Sequence, residues 1–231
     1  MTKLTIRQQL DAAFKRRPEQ DGILHGLRPI HQGKHGSRSS LFFSAKNEAL
    51  IPVESRLEQA FCYVLEANDE VRAYRTQSLA IVYRGRDIYP DFQVLTAAGG
   101  YRVIEVKPAI FQGEEKNRCK ANFMRQRLSR EGIPFEVVNE ERCCAREDFA
   151  ELSMLYNRGG RYGFPLPLIL LAREMVEAAP GARLPVAELR AQLASQGMSP
   201  HLVEAAVFKG VLRRVGKRFR SGDMTDLEVA R

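Results

Sequence analysis

Four ionisable residues, Glu58, Asp91, Glu105 and Lys107, have the types and order that metal-assisted phosphodiester hydrolysis needs. Asp91 follows a proline in Tyr89-Pro90-Asp91, and the other pair stands in Ile104-Glu105-Val106-Lys107-Pro108. Side chains alternate faces along a strand, so Glu105 and Lys107 must point the same way. A carboxylate and an ammonium on one face, opposite a second strand bearing an aspartate, make a compact site for a hard cation with a charged helper. Oxygen ligands of this kind favour Mg²⁺ or Mn²⁺ over zinc.

Each residue also has a plainer reading. Ser55-Arg56-Leu57-Glu58 fits a helix-capping box, in which the glutamate satisfies backbone amides, and Glu54 competes with Glu58 from one turn earlier. Asp91 suits a turn after Pro90. If Ile88, Phe92 and Val94 keep the segment in a sheet, a buried aspartate there is costly without a cation. Glu105 and Lys107 suit a solvated sheet face, but Val103, Ile104 and Val106 argue for a central strand covered on both sides. Gln77 is a turn residue or a group that positions water or phosphate. The four histidines, His25, His31, His35 and His201, show no ligand spacing, and no order suited to acyl transfer or nucleotide hydrolysis is present.

The elements that must position these groups follow from periodicity. A short helix is predicted over Ile6 to Lys15, with Leu10 and Phe14 on one side. The basic, Gly- and Ser-containing stretch up to about residue 50 reads as a loosely ordered arm, with a loop from Gly33 to Ser40. A helix from Val53 to Glu66 carries Glu58. Strands are predicted over Ser78–Tyr83, Ile88–Leu95 and Arg102–Lys107, then a charged helix over Glu114–Arg130, a strand over Ile133–Val138 and a helix over Asp148–Tyr156. Three consecutive strands favour an antiparallel meander, and the crossover helix can set the last strand parallel to a neighbour. The result is an α/β core with helices on both faces. Asn157 to Pro167 reads as a linker. Beyond it, helices over Leu168–Ala178 and Ala187–Ser195 and one opened by Ser199-Pro200, followed by a possible hairpin, have the pattern of a winged helix-turn-helix.

The 231 residues suffice for one large domain or two small ones, and the 44% apolar share is ordinary for a folded protein. No apolar run approaches the roughly 20 residues of a membrane span, and the start of the chain lacks the apolar core of a signal peptide. The bacterial cytoplasm is the expected compartment. Cys62, Cys119, Cys143 and Cys144 lack zinc spacing and read as reduced packing residues. The net charge of +8 points to a polyanionic partner. Lys209, Arg213, Arg214, Lys217, Arg218 and Arg220 form a basic run without an acid and are the expected DNA-backbone contacts.

The order Glu, Pro-Asp, Glu-x-Lys resembles the PD-(D/E)xK nuclease superfamily. The longer string of Glu54 to Glu58, Gln77, Tyr89 to Phe92 and Val103 to Pro108 is similar to TnsA, the endonuclease subunit of heteromeric bacterial transposases, over roughly residues 35 to 150. The resemblance implies a restriction-endonuclease-like fold, a mixed sheet flanked by helices, with a winged-helix-like C-terminal domain. Together with the pattern along the chain, it gives a basic N-terminal arm with a short helix (1–50), a nuclease domain (51–157) and a C-terminal domain for DNA or partner binding (165–231). It makes Glu58, Asp91 and Glu105 the metal-site acids and Lys107 the lysine of the motif, with Mg²⁺ as cofactor and Mn²⁺ as substitute. Expected partners are the double-stranded DNA of transposon ends, a DDE-type transposase subunit and an AAA+ regulatory ATPase, and no membrane. The activity so implied is cleavage at the 5′ ends of a transposon. Two alternatives stand beside it: a stand-alone nuclease of the same fold in defence or repair, and a non-catalytic regulator that binds DNA through its winged helix.

Overall fold

The structure, a computed structural model, describes residues 4–28, 30, 39–143, 146–215 and 226–230. It is mixed α/β, and its contacts divide it into two units, Met1–Ala145 and Arg146–Arg231. Among the described residues no helix is long and apolar enough to cross a membrane.

The first unit opens with helix α1 (Ile6–Lys15), at the predicted bounds, with Thr5 and Gln8 forming a reciprocal cap. A hairpin of β1 (Ser40–Ser44) and β2 (Ala49–Val53) leads to α2 (Arg56–Ala67) and β3 (Val71–Thr76). The hairpin of β4 (Ile81–Tyr83) and β5 (Arg86–Ile88) stands apart from the main sheet, and β6 (Phe92–Thr96) and β7 (Tyr101–Val106) follow. A short α3 (Ala109–Gln112), the long α4 (Glu115–Ser129), β8 (Phe135–Val138) and α5 (Glu140–Cys143) complete the unit. The main sheet has the order β3-β6-β7-β8. Its first three strands are antiparallel, and β8 returns through α4 to lie parallel to β7. This is the expected crossover, and β7 is an inner strand.

Three expectations need correction. The N-terminal region is not merely an arm: Ile6 and Leu10 of α1 are buried in one core with Leu79, Val103, Met124 and Phe135. The expected loop from Gly33 falls largely outside the described residues. The predicted strand Ser78–Tyr83 is confined to β4, while β3, which was not expected, supplies the pairing to β6. The strand expected over Ile88–Leu95 is broken at Tyr89 to Asp91, where the chain leaves the small hairpin and enters the main sheet.

The second unit contains α6 (Arg146–Arg158), α7 (Leu166–Ala178), β9 (Arg183–Pro185), α8 (Val186–Ser195), α9 (Leu202–Phe208), β10 (Leu212–Arg214) and β11 (Asp226–Val229). The strands form an antiparallel sheet in the order β10-β11-β9. Ile169, Val176, Leu189, Leu193, Val203 and Leu227 are central to its core. Helix α6 thus groups with the C-terminal unit rather than with the sheet before it. The stretch from Asn157 to Pro167 is not a free linker. A Cβ on Gly159 would lie 2.3 Å from the backbone nitrogen of Ala205, and one on Gly160 would lie 2.7 Å from the Phe208 ring. Glycine is there for close packing on α9. The third helix starts at Leu202, because Ser199 Oγ accepts from the His201 amide and holds a turn first.

Candidate active site

The site is organised by the end of β7. Val103, Ile104 and Val106 are buried, as a covered inner strand requires. Val103 packs in the core that contains Met124 and Leu128 of α4. Glu105, two residues on, points to the same side, and its Oε1 lies 2.5 Å from Lys120 Nζ of α4. Its Oε2 is buried without a hydrogen-bond partner. Lys107 lines the same pocket as Glu105, so the two share a face. Although Lys107 lies one residue past β7, its amide donates to the Val138 carbonyl at 2.8 Å and continues the ladder. Among the described residues the Lys107 ammonium forms no ion pair.

Asp91 sits at the strand break, just before β6, rather than inside a strand. Its Oδ2 accepts from the Val106 amide at 2.8 Å, and its carbonyl accepts from the Gln77 amide at 3.0 Å. Burial pushes the Asp91 carboxyl well above the usual 3.8, and the charges of Glu105 and then Glu58 push it further. The Val106 hydrogen bond and Lys120 oppose this without cancelling it. The proximity of two more acids is thus felt at Asp91 as a cost of ionising.

Glu58 reaches the region from the opposite side of the sheet. Helix α2 packs through Phe61 on Phe92, which pairs with Ile104 and therefore shares the face opposite Glu105. Glu58 is engaged at its own helix start. Its Oε2 accepts from the Glu54 amide and its Oε1 from Ser55 Oγ, both at 2.9 Å, while its amide donates to Ser55 Oγ. The cap weighed from the sequence is present in part: Ser55 caps the helix, while the Glu58 carboxylate accepts from the Glu54 amide rather than from that of Ser55. Burial raises the Glu58 pKa above 4.5, partly offset by these hydrogen bonds. Glu54 bonds Arg28 instead.

Among the described residues no three His, Cys, Asp or Glu side chains converge as a metal cage. Asp91 and Glu105 remain as an oxygen-donor pair suited to a hard cation. The buried, unpartnered Oε2 of Glu105 and the raised Asp91 are what a divalent ion would relieve, so these residues fit Mg²⁺ or Mn²⁺.

Two further groups belong to the site. Lys120 lies on a helix whose facing to β7 no local motif reveals. Gln77, weighed from the sequence, is 1% exposed and takes a left-handed φ of 47°. Its Oε1 accepts from Arg28 Nε at 3.0 Å, while its Nε2 is buried without a partner. A Cβ on Gly26 would lie 2.6 Å from the Thr76 carbonyl oxygen, so glycine there lets the segment before Arg28 run tightly against this turn.

The expected DNA contacts divide. Lys209 is half-buried, and Arg213 is exposed and bonded to Glu228 at 2.6 Å. The Arg214 side chain is only 6% exposed and bonded to Glu151, so in this conformation it is not presented to a phosphate. Lys217, Arg218 and Arg220 lie outside the described residues. Comparison with known proteins finds no family model and no curated protein that matches this chain.

Proposed function

We propose that this chain is a metal-dependent DNA endonuclease, acting as the subunit of a heteromeric transposase that cuts the 5′ ends of a mobile element. The observation that carries the reading is the end of β7. There a buried carboxylate oxygen of Glu105 lacks a partner, Lys107 shares its pocket, and Asp91 is held with its carboxyl pushed toward the protonated form. A packing role gives no reason to gather two acids and two lysines at the end of an inner strand.

In this reading Asp91 and Glu105 would hold Mg²⁺, and Glu58, whose charge is felt at Asp91, would complete the shell directly or through water. The ion, when bound, would supply a water of lowered pKa and charge stabilisation at the phosphate. Lys107, which has no acidic partner among the described residues, neutralises charge that develops on the phosphate oxygens. Lys120 holds Glu105 on the α4 side and offsets part of its charge. The fold supports the reading as well. A four-stranded mixed sheet with α2 on one face and α1 and α4 on the other suits a restriction-endonuclease-like core, and helices α7 to α9 with a three-stranded sheet suit a winged helix. A DDE-type transposase and an AAA+ ATPase are the proposed partners, with transposon-end DNA as substrate.

The test is nicking of supercoiled DNA with Mn²⁺ or Mg²⁺, with and without candidate partner subunits. Asp91→Ala and Lys107→Ala should each abolish cleavage and leave DNA or partner binding largely intact. Full nicking by both variants overturns the assignment.

A further inference from the structure

Beside Glu105 lies a pocket of about 240 Å³ between α4 and the β7–β8 pair. Among the described residues its walls carry four cations, Lys107, Arg118, Lys120 and Arg125, against a single carboxylate, Glu105. Arg118 and Arg125 are exposed and form no ion pair among the described residues. Its floor is apolar, built from Ala121, Phe135 and Val137. Cations above an apolar floor suit a ligand with an anionic edge and a flat, weakly polar body. The volume is below the roughly 300 Å³ at which pockets for drug-sized ligands begin, too small for a base pair.

A second feature adjoins it. Helix α3 presents Ile110, 81% exposed, and Phe111, 44% exposed. In the chain they stand between Lys107 and Gln112, both pocket residues. The tip is tied down: Gln112 Nε2 donates to the Lys107 carbonyl at 2.9 Å, Asn117 Nδ2 to the Phe111 carbonyl at 2.7 Å, and the Ala109 amide to Glu140 Oε2 at 2.9 Å. A fixed apolar tip next to basic groups is the form of a wedge that unstacks a base step.

Building on the nuclease reading, we infer that this pocket receives a single unstacked nucleotide of the DNA strand beside the cleaved phosphate, with Ile110 and Phe111 as the wedge that frees it. Arg118 and Arg125 hold the flanking phosphate, and the base lies over Ala121 and Phe135. Lys107 belongs to both the pocket and the cutting site, which fixes the nucleotide next to the scissile bond.

The test compares the full chain, in EDTA, on a labelled oligonucleotide duplex and on the same duplex with one bulged nucleotide. Tighter binding of the bulged duplex by about tenfold is expected, the size of one base-stacking contact. The exposed pair Arg118→Gln with Arg125→Gln should remove that preference, as should Ala121→Phe, which fills the floor; Asp91→Ala should keep it. Equal affinity for the two duplexes, or a preference unchanged in both pocket variants, overturns the inference. So does displacement by a free deoxynucleoside monophosphate without any preference for the bulge. The nicking assay separates the two ideas: cleavage without bulge preference sinks the pocket alone, and preference without cleavage supports the pocket while sinking the nuclease.

Discussion

Lys120 Nζ lies 2.5 Å from Glu105 Oε1, joining the long crossover helix to β7, an inner strand of the sheet. Only one carboxylate oxygen is answered in this way, and Oε2 remains buried without a partner. Lysine therefore offsets the Glu105 charge in part and leaves an oxygen for a cation. Lys120→Met should destabilise the metal-free protein by on the order of 1–3 kcal/mol, the cost of stranding a buried acceptor. Added Mg²⁺ should recover much of the loss by taking over the charge. Urea unfolding in EDTA and in Mg²⁺ measures both. An equal loss in the two conditions would show that the pair only packs α4 to the sheet.

The raised carboxyls give the metal-free protein a definite pH response. Burial raises Asp91 and Glu58 above their ordinary 3.8 and 4.5, and it raises Glu66 as well. The folded chain then keeps protons that the unfolded chain releases. Where it holds more of them, stability falls as pH rises. The contribution is full below the unfolded values and is lost as pH climbs through the folded ones. Melting temperature in EDTA should therefore drop from about pH 4.5 toward neutrality. Mg²⁺ should flatten the part due to Asp91, since a cation favours the ionised form. Glu66 accepts from Ser44 and from Tyr74 OH, so Glu66→Gln should remove a part that Mg²⁺ leaves untouched. A melting temperature that rises over this range in EDTA would contradict the assignment of these shifts.

Glu58 can be divided into its two roles. Ser55→Ala removes the side-chain cap and should cost about 1 kcal/mol. Glu58→Gln keeps an oxygen for the Glu54 amide and deletes only the charge, so stability should change little. If the charge serves the cation, Mg²⁺ affinity should weaken by about 10–100-fold, as for groups one layer out from a metal. Calorimetric titration of Mg²⁺ into both variants decides this. Unchanged affinity in Glu58→Gln would leave Glu58 as a helix cap alone.

Local rules found the elements they govern. The apolar spacing of Ile6 and Leu10 located α1, and the run Val103, Ile104, Val106 marked a covered inner strand with Glu105 and Lys107 on one face. The break at Pro90 escaped because Ile88, Phe92 and Val94 keep an even spacing across it, so periodicity alone reads one strand. Its consequence was large: Asp91 spends its side chain on the Val106 amide at the point where pairing resumes. Lys120 escaped for another reason. The rotation of α4 over the sheet is set by Met124 and Leu128 entering the core, and a lysine fifteen positions from its glutamate carries no sign of that. The linker reading of Asn157 to Pro167 fails at Gly159, because glycine serves close packing as well as mobility and composition does not tell the two apart.

The basic C-terminal run should separate into a structural and a functional arginine. Arg214 is enclosed with Glu151, which is itself 37% exposed. Breaking a fully buried pair costs about 3–5 kcal/mol, so Arg214→Met should destabilise the second unit by somewhat less, about 2 kcal/mol. It should leave the salt dependence of DNA binding unchanged. Arg213 is exposed, and its bond to Glu228 is a surface pair worth little to stability. If Arg213 touches phosphate, Arg213→Gln should spare the fold and reduce the slope of log affinity against log salt by about one unit. Binding titrations over a salt series, with a melting curve for each variant, resolve the two. A slope altered by Arg214→Met but not by Arg213→Gln would mean that the buried ion pair opens to meet DNA.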